Sequence, residues 1–325
     1  MGIEPGTSGV DLEGEAIDLK KRRSSMITVI TGGAGFIGVN LARRLSLTGR
    51  RIRVLDNLSS GSMDNLSGVA VELIRGDIRD PEVLADVLRD AKSVVHLAAS
   101  GSVDDSVRDP VENFDVNVRG TINLLEACKK GDIKKVIFAS TGGALAGDVN
   151  GPVHEDVVPR PISPYGASKL CGEAYCGAYA RSYGIKTIAL RFANVYGPYS
   201  LHKKGVVTSF IKAIIARQPL KIFGDGSATR DFIHVEDLCE GISAAIDSSL
   251  EGAEIIHLAT GVETSMLELA RIVCKVAGEQ NYPIELHPIR RGEVYRNVGS
   301  YRRAHELLAF SPQVQLEEGI RQSWE

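Results

Sequence analysis

The chain has 325 residues, of which 43% are hydrophobic and 24% charged, and it contains 34 glycines. This length predicts one large α/β domain or two coupled ones around a substantial buried core. The formal net charge of −3 offers no broad positive surface, which argues against a nucleic-acid partner. The apolar runs have the length of strands, far below the roughly 20 residues that span a bilayer, and no signal segment begins the chain. Membrane and secreted proteins are therefore not expected.

The cysteines indicate a reduced protein. There are five, and none forms a CxxC pair or stands beside a histidine at metal-ligand spacing. We therefore expect a cytoplasmic protein without a bound metal. Residues 1–25 have no helical or alternating periodicity and end in the basic run KKRR, so we expect a disordered extension or an added leader there, with Met26 as the native start.

From Met26 onward, short β-branched runs alternate with helical patterns. The predicted strands are MITVI, RIRVLD, VELIRGD, SVVHLA, KKVIFAS and KTIALRF, and the predicted helices cover residues 37–48, 81–90, 111–129 and 164–183. Apolar strands followed by helices of about ten residues form right-handed βαβ crossovers, which build a parallel sheet covered on both faces. The sequence therefore predicts an α/β, doubly wound sheet of Rossmann type.

After Asn194 the alternation becomes less regular. The predicted elements are helices over 206–217, 235–248, 264–277 and 300–309, and a strand over 254–258. We expect residues 26–193 to form the Rossmann domain, joined by about 233–250. Residues 194–325 would then be mainly a smaller C-terminal substrate-binding lobe.

A glycine-rich turn follows the first predicted strand. In TGGAGFIG, Gly32, Gly35 and Gly38 have the spacing that allows a tight turn, close approach to a pyrophosphate, and packing of helix on strand. Asp56 ends the second strand, where a carboxylate can accept hydrogen bonds from the adenosine ribose and would repel a 2′-phosphate. The sequence therefore predicts an NAD site and favours NAD over NADP.

Together with HLAA at 96–99 and YGASK at 165–169, these motifs resemble the extended short-chain dehydrogenase/reductase superfamily, in its NAD-dependent sugar-nucleotide epimerase/dehydratase branch. The resemblance covers essentially all of residues 26–325. It implies that the NAD contacts extend beyond the three glycines and Asp56. The additional cofactor residues that it implies are Phe36, Ile37, Asn57, Ser60, Gly61, Asp77, Ile78, Leu97, Ala98 and Ala99.

Tyr165 and Lys169 form the candidate catalytic pair. They are four residues apart in a helix that Ser163 and Pro164 are expected to begin, so both side chains lie on one face. A neighbouring ammonium and the positive nicotinamide ring both favour the phenolate of a tyrosine, which can then take a proton from a sugar hydroxyl. Tyr199 and Lys203 have the same spacing, but they lie in YGPYSLHKKG, where no helix is expected, so we interpret that pair as a coincidence.

The family resemblance implies a third catalytic group, the hydroxyl of Thr141, which would bond the reacting sugar oxygen. Ser140 precedes it and could share or replace that role. The family's 4,6-dehydratases have an Asp-Glu pair after this hydroxyl, and the decarboxylases typically have a Glu, whereas this chain has Gly142 and Gly143. Neither glycine can transfer a proton, so epimerisation is expected rather than elimination.

The resemblance also implies contacts with a nucleotide sugar. The residues that it implies are Asn194, Gly205, Val206, Arg230, Arg291, Glu293 and Asn297. An arginine suits a diphosphate because its planar guanidinium can donate two parallel hydrogen bonds. Asn297 falls where the family places a residue that limits room around the sugar C2 substituent.

We therefore expect an NAD-dependent UDP-sugar 4-epimerase acting on UDP-glucose and UDP-galactose or on their N-acetyl or uronate relatives. Two alternatives stay open: an epimerase or reductase that acts on dTDP-, GDP- or CDP-sugars, and a non-catalytic NAD-sensing protein. The resemblance further implies a homodimer that pairs through helices 111–129 and 164–183.

Overall fold

The computed structural model describes residues 26–147, 149, 151–289 and 294–324. The strands are β1 Ile27–Thr31, β2 Arg51–Asp56, β3 Val71–Arg75, β4 Ala91–His96, β5 Lys135–Thr141, β6 Lys186–Phe192, β7 Asn194–Tyr196, β8 Leu220–Phe223, β9 Thr229–Arg230, β10 Phe232–His234, β11 Ala253–Leu258, β12 Thr264–Ser265, β13 Ile284–His287 and β14 Arg296–Asn297. The helices are α1 Phe36–Ser46, α2 Pro81–Val87, α3 Val103–Arg108, α4 Pro110–Phe114, α5 Gly120–Lys130, α6 Gly143–Ala146, α7 Pro164–Tyr183, α8 Val206–Ile215, α9 Val235–Asp247, α10 Met266–Val276, α11 Arg302–Leu308 and α12 Leu316–Trp324.

The main sheet has seven strands in the order β3-β2-β1-β4-β5-β6-β11. Every neighbouring pair is parallel, which confirms the doubly wound sheet predicted from the sequence. The chain moves outward in one direction through β2 and β3 and in the other direction from β4 onward. A crevice therefore opens at the carboxyl ends of β1 and β4, which is where such sheets bind ligands.

Helices cover both faces of this sheet. On β1, Val29 belongs to the core on one face and Ile30 to the core on the other, and neither is accessible to solvent. One face packs against α2, α5 and α7, while the other packs against α1, α9 and α11. This two-sided burial explains why the central strands are continuously apolar. No helix in the described ranges combines the length and the apolar character that crossing a bilayer requires.

The predicted helix over 111–129 is interrupted in the structure. It consists of α4, a π-helical turn over Asp115–Arg119, and α5. A π turn inserts one residue into the helical spacing and has no marker in a single sequence. The prediction of 164–183 is confirmed, with Ser163 as N-cap and Pro164 at the first position. The remaining predicted helices occur with ends that differ by at most three residues from the prediction.

A separate core lies under α8, α10 and α12. Short strands connect this region to the sheet: β7 pairs with β10, β8 with β13, and β9 with both β12 and β14. At their junction the Asn194 amide donates to the Asp231 carbonyl (2.9 Å), and the Asp231 amide donates to the Asn297 carbonyl (2.9 Å). Three segments distant in sequence therefore meet beside the carboxyl edge of the sheet.

Candidate active site

The glycine-rich turn packs more tightly than any side chain would allow. Gly32 has a φ of +71°, and a Cβ atom there would lie 2.7 Å from the backbone nitrogen of Ala98. A Cβ atom at Gly38 would lie 2.4 Å from the carbonyl oxygen of Gly32. Gly35 is the N-cap of α1 and supplies no side-chain cap, so the first amides of this helix are available to an anion.

Asp56 is fixed beside this turn. Its carboxylate accepts hydrogen bonds from the amides of Ala34 (2.9 Å) and Leu58 (2.8 Å). The neighbouring Asn57 donates to the Asp77 carboxylate (2.9 Å). The hydrogen bond from the Arg79 guanidinium holds the pKa of Asp77 at about 2, below its ordinary value. The carboxyl ends of β2 and β3 therefore present one ordered acidic group each, Asp56 and Asp77, at the positions predicted for the adenosine.

The other predicted cofactor residues differ in which of their atoms are accessible to a ligand. Gly61 lies against Ala34, where a Cβ atom would come within 2.6 Å of the Ala34 carbonyl oxygen. Phe36 and Ile78 have side chains buried in the two cores, so they can offer only backbone atoms to a ligand. Those with exposed or half-buried side chains are Ile37, Ser60, Leu97, Ala98 and Ala99.

The catalytic pair lies at the start of α7. Lys169 is buried, and its Nζ donates to the carbonyl oxygen of Ala139 on β5 (2.8 Å). The same nitrogen lies 6.0 Å from the centre of the Tyr165 ring and 5.0 Å from that of Phe138. The helix therefore brings the ammonium and the phenol to one face, as their spacing predicts.

The surrounding protein shifts both groups toward their neutral forms. Exclusion of water raises the pKa of Tyr165 to about 12 and lowers the pKa of Lys169 to about 8. In the protein by itself, the effect of Lys169 does not offset the rise at Tyr165. A phenolate at neutral pH therefore requires additional positive charge close to the Tyr165 oxygen.

The two candidate hydroxyls have different surroundings. The Ser140 Oγ donates to the Glu173 carboxylate (2.6 Å), which also forms a two-point ion pair with Arg191 (2.8 and 2.9 Å). This network is buried and holds the end of β5 against α7 and β6. Thr141 is half-buried at the carboxyl end of β5, and its side chain makes no hydrogen bond within the described part of the chain. Thr141 is thus the hydroxyl that remains available to a ligand.

Two further residues at the site, Asn117 and Glu173, are not among those predicted from the sequence. Asn117, in the π turn, hydrogen-bonds the backbone of Ser100 (2.8 and 3.1 Å) and the Ser168 hydroxyl (3.0 Å), so it connects the loop after β4 to α7. No pattern in one sequence marks it. Glu173 did have a signal, because it stands four residues after Lys169 and therefore on the same face of α7.

The two glycines after Thr141 lie against other side chains. A Cβ atom at Gly143 would lie 1.8 Å from the Asn297 Nδ2, and one at Gly142 would lie 3.3 Å from the His257 Cε1. Asn297 thus occupies the space that a side chain at position 143 would need. The site has no acid/base group at either position.

The predicted substrate residues are partly brought together. The Asn194 side chain donates to the Asp231 carbonyl (3.2 Å), and Arg230 on β9 is paired with Asn297 on β14. The Arg230 guanidinium donates to the carbonyl of Thr229 (2.8 Å). Gly205 is the N-cap of α8, and Val206 is the first residue of that helix. Arg291 and Glu293 lie outside the described residues.

In the part of the chain that the structure describes, no group of three or more His, Cys, Asp or Glu side chains is arranged to hold a metal ion. All five cysteine thiols are unpaired, and four of them are buried. His96 is also buried, and its Nδ1 forms a hydrogen bond with the Thr31 hydroxyl (2.7 Å) at the end of its strand.

Comparisons with known proteins agree with this geometry. Residues 28–259 match the model of the NAD dependent epimerase/dehydratase family. A UDP-glucose 4-epimerase of Mycolicibacterium smegmatis is 40% identical over 309 residues, which cover 92% of this chain and 98% of that protein. The solved structure of UDP-glucose 4-epimerase from Thermotoga maritima with UDP-glucose has a TM-score of 0.88 at 36% identity and covers 92% of this chain and 97% of its own.

A second solved structure is that of UDP-glucose 4-epimerase from Thermus thermophilus in complex with NAD. Its TM-score is 0.86 at 38% identity, and the match covers 92% of this chain and 98% of that one. The family model extends across the glycine turn, the Tyr165 and Lys169 pair and the hydroxyl at the end of β5. The chain belongs to the NAD-dependent epimerase/dehydratase family.

Proposed function

We propose that this protein is an NAD-dependent UDP-sugar 4-epimerase, acting on UDP-glucose and UDP-galactose or on their N-acetyl or uronate relatives. The observation that carries the proposal is the arrangement at the end of β5. Tyr165 and Lys169 lie together on α7, the Thr141 hydroxyl is available, and two glycines stand where elimination would need an acid and a base. The similarity to two UDP-glucose 4-epimerase structures supports the same activity.

The crevice at β1 and β4 suits NAD. The cradle formed by Gly32, Gly35 and Gly38 would accept the pyrophosphate at the start of α1, and the Asp56 carboxylate would accept the adenosine ribose hydroxyls. A 2′-phosphate at Asp56 would meet a negative charge. When bound, NAD supplies the hydride acceptor and donor of the reaction.

In this proposal Tyr165 removes the proton from the sugar C4 hydroxyl as C4 is oxidised, and returns a proton when the ketone is reduced. Thr141 donates a hydrogen bond to the same oxygen and keeps it near Tyr165. Lys169, held by the Ala139 carbonyl, adds positive charge close to the phenol. The positive charge required to lower the pKa of Tyr165 below about 12 would come from Lys169 and the nicotinamide ring together.

The 4-keto sugar must present its other face before reduction. The substrate diphosphate would be held at Asn194 and Arg230, so the sugar can turn while the nucleotide stays bound. Inversion at C4 follows with no net redox change. Gly142 and Gly143 support this outcome over dehydration, because neither can remove a proton from C5 or donate one to a leaving hydroxyl.

The test is a screen of nucleotide sugars with the purified protein and NAD, with products separated by chromatography. We expect interconversion of a UDP-hexose pair, loss of conversion in Tyr165→Phe, and a large decrease in Lys169→Met. Conversion restricted to dTDP-, GDP- or CDP-sugars, or net consumption of NADH, would point to the sister enzymes. NAD binding without conversion of any sugar would point to a sensing protein.

We also propose that the protein is a cytoplasmic homodimer. Apolar side chains are exposed on neighbouring helices α3, α4 and α7, and the larger ones are Val107, Val111, Phe114, Tyr175 and Tyr183. A second copy of this surface would cover them. Val111→Glu combined with Phe114→Glu should give a monomer by light scattering. The unpaired thiols suit a reducing compartment.

We propose that residues 194–325 form most of the nucleotide-sugar lobe. Three of their elements, α9, β11 and α11, pack on the main sheet instead.

A further inference from the structure

The second Tyr/Lys pair of the sequence lies in an unusual segment. Residues 198–204 (PYSLHKK), here called the strap, connect β7 to α8 without forming a helix. Tyr199 has a φ of +65°, a left-handed conformation that is rare for a bulky side chain. Such a conformation persists only where the surroundings hold it, and it is a reason to look for a function.

One end of the strap is held by α1. The Asn40 side chain donates to the Pro198 carbonyl (3.0 Å), and the Arg43 guanidinium lies 5.0 Å from the centre of the Tyr199 ring. Arg43 also donates to the Asn65 carbonyl (2.9 Å) in the loop after β2. The strap therefore begins on the helix that carries the glycine cradle and is fixed there by a stacked cation.

The other end is held across the crevice by α3. The Lys204 Nζ forms an ion pair with the Asp105 carboxylate (3.1 Å). Helix α3 follows the loop after β4, and its Ser106 hydroxyl accepts a hydrogen bond from the Tyr165 backbone amide (3.1 Å). Between the two ends, Ser200 bonds Thr208 on α8 (3.1 Å), and both of these side chains are buried.

The strap thus spans the crevice that opens between β1 and β4. Burial of the strap lowers the pKa of Lys203, and the attraction of the Asp56 carboxylate opposes this shift. Asp56 marks the predicted adenosine ribose position at the end of β2. The strap therefore joins α1, which follows β1, to α3, which follows β4.

We propose that the strap closes over the bound dinucleotide and slows its release, with the Lys204–Asp105 ion pair as its latch. The ligand class is an anionic dinucleotide, to which Lys203 brings positive charge. This inference rests on the proposed function, because NAD is the ligand assigned to the crevice. The strap acts on retention of the cofactor and leaves the chemistry at Tyr165 to the groups described above.

The test measures how fast NAD leaves the full-length protein. The protein is loaded with NAD and diluted into excess fluorescent etheno-NAD, and the exchange rate is followed. In Lys204→Met the rate should rise about two- to fivefold, since the two charges are 71% and 39% exposed and such pairs are individually weak. The charge reversal Lys204→Asp with Asp105→Lys should return the rate to within about twofold of the original.

Two variants of Tyr199 test the contact between its ring and Arg43. Tyr199→Ala removes the ring and should release NAD faster, whereas Tyr199→Phe keeps the ring over Arg43 and should behave like the original protein. Raising the salt concentration should speed release from the original chain more than from Lys204→Met, because salt screens the latch.

The outcomes separate this inference from the proposed function. If NAD binds but leaves Lys204→Met and Tyr199→Ala at the original rate, the strap proposal is wrong and the epimerase proposal stands. If these variants weaken the binding of UDP and leave NAD release unchanged, the strap belongs to the substrate side and the proposal is again wrong. If the original protein binds no NAD, both proposals fail.

Discussion

The Ser140 hydroxyl donates a 2.6 Å hydrogen bond to the buried Glu173 carboxylate, so one of the two hydroxyls at the end of β5 is already occupied by the protein. Thr141, one residue later, has its side chain free of hydrogen bonds within the described chain. Mutation of Thr141 should therefore affect mainly activity, and mutation of Ser140 mainly stability.

Thr141→Ala should decrease kcat by about 10²-fold or more, because it removes a donor to the reacting oxygen. Ser140→Ala should retain most of kcat and instead lower the free energy of unfolding by about 1–3 kcal/mol, since it removes a buried hydrogen bond to a charged group. Steady-state kinetics and urea unfolding of both variants check this. A larger loss of kcat in Ser140→Ala than in Thr141→Ala would show that Ser140 is the catalytic hydroxyl.

Glu173→Gln should lower the free energy of unfolding by about 3–5 kcal/mol, because it leaves the buried Arg191 charge without its partner. Asp86→Ala is the matched control, since it breaks the exposed ion pair with Arg89 and should change stability by at most about 0.5 kcal/mol. Urea unfolding followed by circular dichroism measures both. Equal, small changes in the two variants would show that the buried pair contributes no more than a surface pair.

Gly143→Ala should destabilise the protein by about 1–3 kcal/mol and impair activity, because the added methyl group would overlap the Asn297 amide. The double variant Gly143→Ala, Asn297→Ala removes the overlap and should recover most of the lost stability. The coupling between the two positions is obtained from thermal unfolding of the single and double variants. If the stability changes of the two single variants simply add in the double variant, the Asn297 side chain can move aside and the overlap costs little.

Acid should destabilise the protein well above the range in which carboxylates titrate. Burial lowers the pKa of His96 and of His257 to about 3 in the folded chain, so below pH 6.5 the unfolded chain binds protons that the folded chain does not. The free energy of unfolding should therefore fall by about 2–3 kcal/mol between pH 7 and about 5.5. His96→Asn should show about half of this fall. A flat profile in urea unfolding would contradict the burial of both rings in their neutral form.

The sequence predicts well where local and periodic signals agree. Helix α7 begins and ends as expected because Ser163, Pro164 and Gly184 each have a local physical role at its termini. The parallel sheet follows from strands buried on both faces. The glycine turn was recognisable because Asp56 follows at the distance that a nucleotide site requires.

Contacts between distant segments could not be predicted. Gly143 lies against Asn297, where an added Cβ atom would come within 1.8 Å of the amide nitrogen, although the two residues are more than 150 positions apart and Asn297 lies on a strand of only two residues. The π turn that carries Asn117 has no sequence marker. Tyr199 and Lys203 do not form a catalytic pair, because the chain at Tyr199 is not helical and their four-residue spacing does not align their side chains. Their place on the strap depends on Asn40 and Arg43, which no local pattern connects to them.

Proton NMR of the reaction in D2O, with purified protein, NAD and UDP-galactose, tests the proposed 4-epimerase activity most directly. We expect inversion at C4 to the UDP-glucose configuration with the original hydrogen retained at C4, no deuterium at C5, and no conversion in Tyr165→Phe. Incorporation of solvent deuterium at C4 or C5, or undiminished conversion in Tyr165→Phe, would contradict it.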